Sequence, residues 1–144
     1  MEILQIQGTD ERLYPLVGPL VMNPVVLKQN YNFPFRTAEN FIWLVAIDEE
    51  GKVLGFLPVE NKKTECVINN YFVWKEHRDV LRPLLRKAVG AWNIRKPLAA
   101  VAFLEDEELF RSFGFKEDKR WTRYVKMKKE IENEDGKEKA RRNQ

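Results

Sequence analysis

Hydrophobic and polar positions change period several times along this chain, and each change marks an element. Residues 2–7 alternate weakly and read as a short strand closed by Gly8. Thr9 and Asp10 then offer helix caps. Leu13, Leu16, Val17, Leu20 and Val21 follow at helical spacing. Pro15 and Pro19 interrupt that stripe, because each lacks a backbone donor and clashes with the turn before it, so the pattern predicts a short, bent or broken helix. Asn23-Pro24 is a cleaner start, an N-cap followed by proline at the first helical position, and predicts a second helix through Val25, Val26 and Leu27 to about Asn30. Residues 31–36, Tyr-Asn-Phe-Pro-Phe-Arg, are aromatic and punctuated by proline, hence a loop.

From Phe41 to Ile47 the chain is almost continuously apolar and rich in β-formers, which predicts a central strand. A polar turn over 48–52 precedes its hairpin partner, Val53 to Val59. Thr64 to Trp74 reads as one third antiparallel strand. It should place Cys66, Ile68, Asn70 and Phe72 on one face and Val67, Asn69, Tyr71 and Val73 on the other. The period then becomes helical: Val80, Leu81, Leu84, Leu85, Ala88, Val89 and Trp92 share one face. Pro83 must lie in the first turn, so this helix begins near Asp79. Leu98 to Leu104 reads as a buried strand, and reaching it through a helix predicts a parallel pair with the preceding strand. Glu105, Asp106, Glu107 and Glu108 open a short helix where the macrodipole favours acids; Phe113 ends it, with Gly114 as C-cap. Phe115 onward, with Arg120 to Met127, reads as a terminal hairpin. From about Lys128 the chain is almost entirely polar, giving a domain over residues 1–128 and a charged C-terminal tail over 129–144.

This order is α/β (α+β) in class, a mixed central sheet of about six to seven strands flanked by about four helices. At 144 residues, with 44% hydrophobic and 33% charged positions, the chain is globular rather than disordered. Its net charge of +3 is too small to argue for a nucleic-acid partner. A basic strip does exist: Lys119, Arg120, Arg123, Lys126, Lys128 and Lys129, interleaved with Trp121 and Tyr124. Interspersed acids and strand alternation assign it to a solvated face. Cys66 is the single cysteine, which excludes an internal disulfide and suits a small strand residue. His77 is the single histidine, which excludes histidine triads and histidine-rich metal sites, so no metal is expected. The N-terminus lacks the basic and apolar regions of a signal peptide, and no apolar run approaches the roughly 20 residues that span a bilayer. A soluble, cytoplasmic protein without a membrane partner is the expectation.

Leu109-Phe110-Arg111-Ser112-Phe113-Gly114-Phe115 resembles the helix-to-strand signature of the GNAT superfamily of acetyl-CoA-dependent N-acetyltransferases, and Tyr124-Val125-Lys126-Met127 resembles its last strand. Together with the order of elements over residues 1–128, these segments make the chain similar to a divergent GNAT member. The resemblance implies transfer of an acetyl group from acetyl-CoA to a primary amine. It also implies a pantetheine arm paired with strand backbone at Phe72 and Val73, next to Tyr71. Trp74, Lys75, His77, Arg78, Asp79 and Val80 would form the phosphate loop and helix start. Tyr31, Asn32, Phe33 and Phe35 would line the acceptor pocket, an aromatic wall suited to an apolar or aromatic amine.

The sequence departs from the family in two places. The Lys75–Leu81 loop is short and has no glycine; Arg78 takes the place of the usual Arg or Gln, and Lys75 and His77 add positive charge. Asp79 would repel a pyrophosphate, and as an N-cap it would compete for the same N–H groups. Phe110 stands where many members carry a tyrosine acid, leaving Tyr71 as the candidate substitute and Glu105 as the candidate base, with Glu60 and Glu65 as alternatives. Two readings stay open: an active acetyltransferase, or a GNAT-like binding module that has lost catalysis. The resemblance also leaves open a homodimer through the terminal hairpin.

Overall fold

The structure, a computed structural model, describes residues 1–92 and 95–131. The chain runs β1 (Glu2–Gln7), α1 (Leu13–Val21), α2 (Pro24–Gln29), β2 (Phe41–Ile47), β3 (Val53–Asn61), β4 (Cys66–Ile68) and β5 (Phe72–Val73). It continues with α3 (Leu81–Trp92), β6 (Leu98–Phe103), α4 (Glu107–Ser112), β7 (Lys116–Arg120) and β8 (Tyr124–Lys129). Short 3-10 segments, Lys75–Val80 and Leu104–Asp106, lead into α3 and α4.

The strands pair in the order β1-β2-β3-β4-β6-β8-β7, with β5 attached to β3. The first four are antiparallel neighbours; β4 and β6 are parallel, as a connection through α3 requires. Each face of the sheet carries its own core. Leu44, Leu57, Ile68 and Leu98 pack with Leu81, Leu84 and Leu85 of α3 and Phe110 of α4. Val45, Trp43, Phe56 and Phe72 pack with Val17 of α1 and Val26 of α2.

The predicted third strand is two strands, which brings the sheet to eight. From Val59 to Phe56, β3 advances three residues while its partner advances four, from Ile68 to Phe72, so one residue is extra. Asn70 absorbs the bulge at φ 56°, a left-handed conformation that asparagine tolerates. Pro58, which has no N–H to give, lies on the stretch of β3 facing this interruption. The extra residue resets the alternation. Tyr71 and Val73 join Cys66 and Ile68 in the α3-side core, and Phe72 turns to the other side, against the faces expected from strict alternation.

At the helices, α1 is one nine-residue α-helix that is short but unbroken, with Pro15 in its first turn and Pro19 inside it. Its N-cap is Arg12, while Asp10 uses its carboxylate in the preceding turn to bind the Arg12 N–H and guanidinium. Asn23 caps α2 as its sequence implies, accepting from Val25 N–H at 2.9 Å, with Pro24 at the first position. The helical path toward α3 begins at Lys75, earlier than Asp79, in 3-10 form with a kink at His77. Gly114 adopts φ 94° after α4, the left-handed C-cap conformation. At the other end, β8 extends to Lys129, which is buried, so the last strand passes the expected boundary at residue 128; the tail from 132 to 144 lies outside the described residues.

Candidate functional site

The parallel pair β4–β6 holds only over Cys66–Ile68 and Leu98–Ala100. Beyond that register the two strands part, because the Asn70 bulge turns the chain and β5 pairs with β3 alone. A cavity of about 400 Å³ opens between them, lined by Gln29, Asn30, Tyr71, Phe72, Val73, Lys75, Arg78, Phe103 and Glu105. The bulge therefore leaves one edge of β5 without a neighbouring strand and takes the end of β6 out of the β4 ladder, so its backbone groups must find other partners.

One buried network spans this gap. The Tyr71 hydroxyl donates to Asp106 Oδ2 at 2.5 Å and accepts from the Phe103 N–H at 2.9 Å. Arg78 closes an ion pair with Asp106 Oδ1. Asp106 is 3% exposed, and burial raises its carboxyl above the usual range, while the Tyr71 hydrogen bond and the Arg78 charge oppose that rise. Burial also pushes the Tyr71 hydroxyl well above its ordinary value, and the neighbouring Asp106 charge and hydrogen bond push it the same way. The phenol therefore keeps its proton at neutral pH and shares it with Asp106.

Asn30, which caps the C-terminus of α2 and is 2% exposed, forms the second polar feature. Its amide nitrogen donates to Phe33 O at 2.9 Å and to Asn70 Oδ1 at 3.1 Å. Its Oδ1 is, among the described residues, the one buried side-chain polar atom without a partner. Tyr31 and Asn32 follow at φ 54° and 64°, so the chain reverses sharply here. A second cavity of about 540 Å³ lies on the far side, lined by residues of this loop, of the bulge and of the β7–β8 turn. The two cavities share a wall. Asn30 of the first bonds to Phe33 and Asn70 of the second, and Phe103 of the first packs on Tyr124 of the second at 5.1 Å between centroids.

The expected site residues fall into distinct places. Phe72, Val73, Lys75 and Arg78 line the first cavity, as do Tyr71 and Glu105. Trp74 is half-buried against the α1-side core, and Val80 is buried in the α3-side core, so neither lines the cavity. His77 is half-buried at the kink, off the cavity lining. Asp79 is exposed, also off the lining, and caps nothing: the N-cap of its segment is Trp74. Phe33 lines the second cavity, and Tyr31 stacks on Phe103 and Tyr124 between the two. Asn32 is exposed with its N–H held by Leu27 O. Phe35 does not join this wall; it packs edge-on against Phe56 on the α1 side, because Pro34 and the reversed backbone turn it inward.

Among the alternative groups, Glu60 is tied to Arg36 at 2.8 Å. Phe110 is fully buried, its ring against Tyr71 and Phe115, so the hydroxyl of this aromatic cluster belongs to Tyr71. Cys66 is buried, with its thiol pushed up by burial, an inert strand residue. In the basic strip, Arg120 pairs with Glu107 and Glu117, Lys126 with Asp118 and Lys128 with Glu130. The edge strand β7, Lys-Glu-Asp-Lys-Arg, is exposed throughout, and such a charged edge opposes pairing with another strand. Sequence reasoning missed Asp106, Asn30, Asn70 and Phe103. Asp106 was hidden among helix-opening acids. The Asn69-Asn70 pair inside an apolar strand was the one available sign of a bulge.

Among the described residues, no group of three or more His, Cys, Asp or Glu is placed to hold a metal ion, and no helix is long and apolar enough to cross a membrane. No family model matches the chain. No curated protein matches its sequence. Solved structures do match. Tetrahymena GCN5 superposes with a TM-score of 0.71 at 14% identity, covering 91% of this chain and 96% of that one. A GNAT-family acetyltransferase from Staphylococcus aureus gives 0.64 at 11% identity, covering 91% and 100%. The paia N-acetyltransferase of Thermoplasma acidophilum, in complex with coenzyme A, gives 0.56 at 11% identity, covering 90% and 99%. Each of these matches extends over about nine-tenths of this chain. The chain has the GNAT fold of the acyl-CoA N-acyltransferases, carried by a divergent sequence.

Proposed function

We propose that this protein is an acyl-CoA N-acetyltransferase that moves an acetyl group from acetyl-CoA to a primary amine. The observation that carries the reading is the parted sheet: the free edge of β5 and the separated end of β6 flank a cavity of about 400 Å³. A likeness in fold to a coenzyme A complex supports it. Acetyl-CoA supplies an activated thioester and a leaving thiolate. The free edge at Phe72 and Val73 suits an amide-bearing arm laid down as an added strand. Asn30 Oδ1, buried and unpartnered, suits an N–H of the same ligand. Lys75 and Arg78 on the lining replace a glycine cradle with side-chain charge for the phosphates.

Glu105, an exposed carboxylate on the cavity lining, takes a proton from the incoming ammonium in this reading. Tyr71 serves as a positioning residue rather than an acid. Its proton is committed to Asp106, and its high affinity for that proton disfavours transfer to a thiolate, whose conjugate acid has a pKa of about 8.5 by analogy with cysteine. The leaving thiolate then departs without a protein acid.

Calorimetric titration with acetyl-CoA, paired with a thiol-release assay over a panel of amines, tests the reading. Binding with amine-dependent thiol release is expected; absence of binding at millimolar ligand sinks it. A second reading, a binding module without catalysis, is favoured by the buried Phe110 and the committed Tyr71 proton. Binding without thiol release would select it.

A further inference from the structure

Three of the exposed large apolar side chains of this protein gather around one place: Tyr31 at 41% exposure, Phe33 at 57% and Trp121 at 42%. Phe33 and Trp121 line the 540 Å³ cavity, and Tyr31 stands at its inner wall against Tyr124. Aromatic surface left in water and gathered at a concavity marks a binding site. Its polar lining is one-sided. Arg36, Arg123, Asn69, Asn70 and Thr122 contribute to it, and no Asp or Glu does.

The two arginines differ. Arg36 is neutralised by Glu60 at 2.8 Å. Arg123 lies over the Tyr31 ring at 4.4 Å and, among the described residues, meets no carboxylate. The nearby cations of the β7–β8 hairpin are otherwise engaged: Arg120 with Glu107 and Glu117, Lys126 with Asp118, and Lys119 over the Trp121 ring. A guanidinium stacked on a ring keeps its in-plane N–H groups free and holds them in a fixed plane, the arrangement that receives a carboxylate.

We infer that the second cavity binds an amine that carries a carboxylate on an apolar or aromatic body, with Arg123 as the anchor of the carboxylate. The amine end of this inference rests on the acetyltransferase reading; the carboxylate and the apolar body rest on the cavity alone. The shared wall Asn30–Asn70 and Phe103–Tyr124 sets the bound amine beside the first cavity. A polyamine is disfavoured, because every charged group on the lining is positive except through the Arg36–Glu60 pair.

Calorimetry with two simple probes, 3-phenylpropanoate and 3-phenylpropan-1-ol, tests this without acetyl-CoA, so its failure is separate from failure at the first cavity. The carboxylate is expected to bind about tenfold more tightly than the alcohol, with the margin shrinking as salt is raised. Arg123→Gln, on an exposed turn, is expected to remove that margin while leaving the alcohol's affinity in place, which also shows that the variant is folded. Equal or weaker binding of the carboxylate, a margin that survives in Arg123→Gln, or no binding of either probe at millimolar concentration overturns the inference.

Discussion

Tyr71→Phe removes a single oxygen from the bridge across the parted strands. The ring stays, with its packing on Phe103 at 5.3 Å and Phe110 at 5.8 Å between centroids. Two hydrogen bonds are lost, the 2.5 Å bond to Asp106 and the 2.9 Å bond from Phe103 N–H. A bond to a charged group is worth about 1.5–3 kcal/mol and a neutral one about 1 kcal/mol, and water entering from the adjacent cavity recovers part of the second. The expected loss is therefore about 2–4 kcal/mol, read as a lower midpoint with unchanged slope in urea unfolding.

The loss should also depend on pH. The folded-state pKa of Asp106 is raised, so the native state binds more protons than the unfolded state between the unfolded value and the raised one. Stability from this group is thus greatest at low pH and falls as pH rises through that window. Removing the hydroxyl, a group that lowers the Asp106 pKa, raises it further and widens the window. The variant should lose more stability near about pH 7 than near about pH 4. A change below about 0.5 kcal/mol, or one independent of pH, would refute the role given to this bridge.

Gly55→Ala tests the attachment of β5: a Cβ there would meet Phe72 O at 2.7 Å and Val73 Cγ1 at 2.6 Å, so the pair must shift. A loss of about 1–3 kcal/mol in urea unfolding is expected, together with weaker acetyl-CoA binding by calorimetry. Arg78→Met strips the buried Asp106 of its cation; the carboxyl titration of Asp106, followed by NMR, should move to higher pH, and acetyl-CoA affinity should fall. Asn23→Ala removes the α2 cap and should cost about 1 kcal/mol, seen as a lower thermal midpoint without change in acetyl-CoA affinity.

The sequence made the frame legible wherever one face of an element is buried. The unbroken apolar run at Phe41–Ile47, the helical stripe from Val80 to Trp92 and the Asn23-Pro24 start all appear where their patterns place them. The site was legible only in part, because it depends on a local irregularity. One extra residue near Asn70 reverses which side Tyr71, Phe72 and Val73 face, and alternation has no means of showing an insertion. Asp106 was obscured for a different reason: in sequence it is one of four successive acids, and only the tertiary approach of Tyr71 and Arg78 singles it out. The aromatic loop was recognised as a wall, but the inward turn of Phe35 and the stacking of Arg123 on Tyr31 arise from backbone reversal at Tyr31 and Asn32.

The most direct test of the central claim is an NMR titration of nitrogen-15-labelled protein with acetyl-CoA, following backbone amides along the parted strands. Saturable shifts concentrated at Phe72, Val73, Lys75, Arg78 and Phe103 are expected, with the Asn30 side-chain amide among them. Shifts confined to other surfaces, or none at millimolar acetyl-CoA, would contradict it.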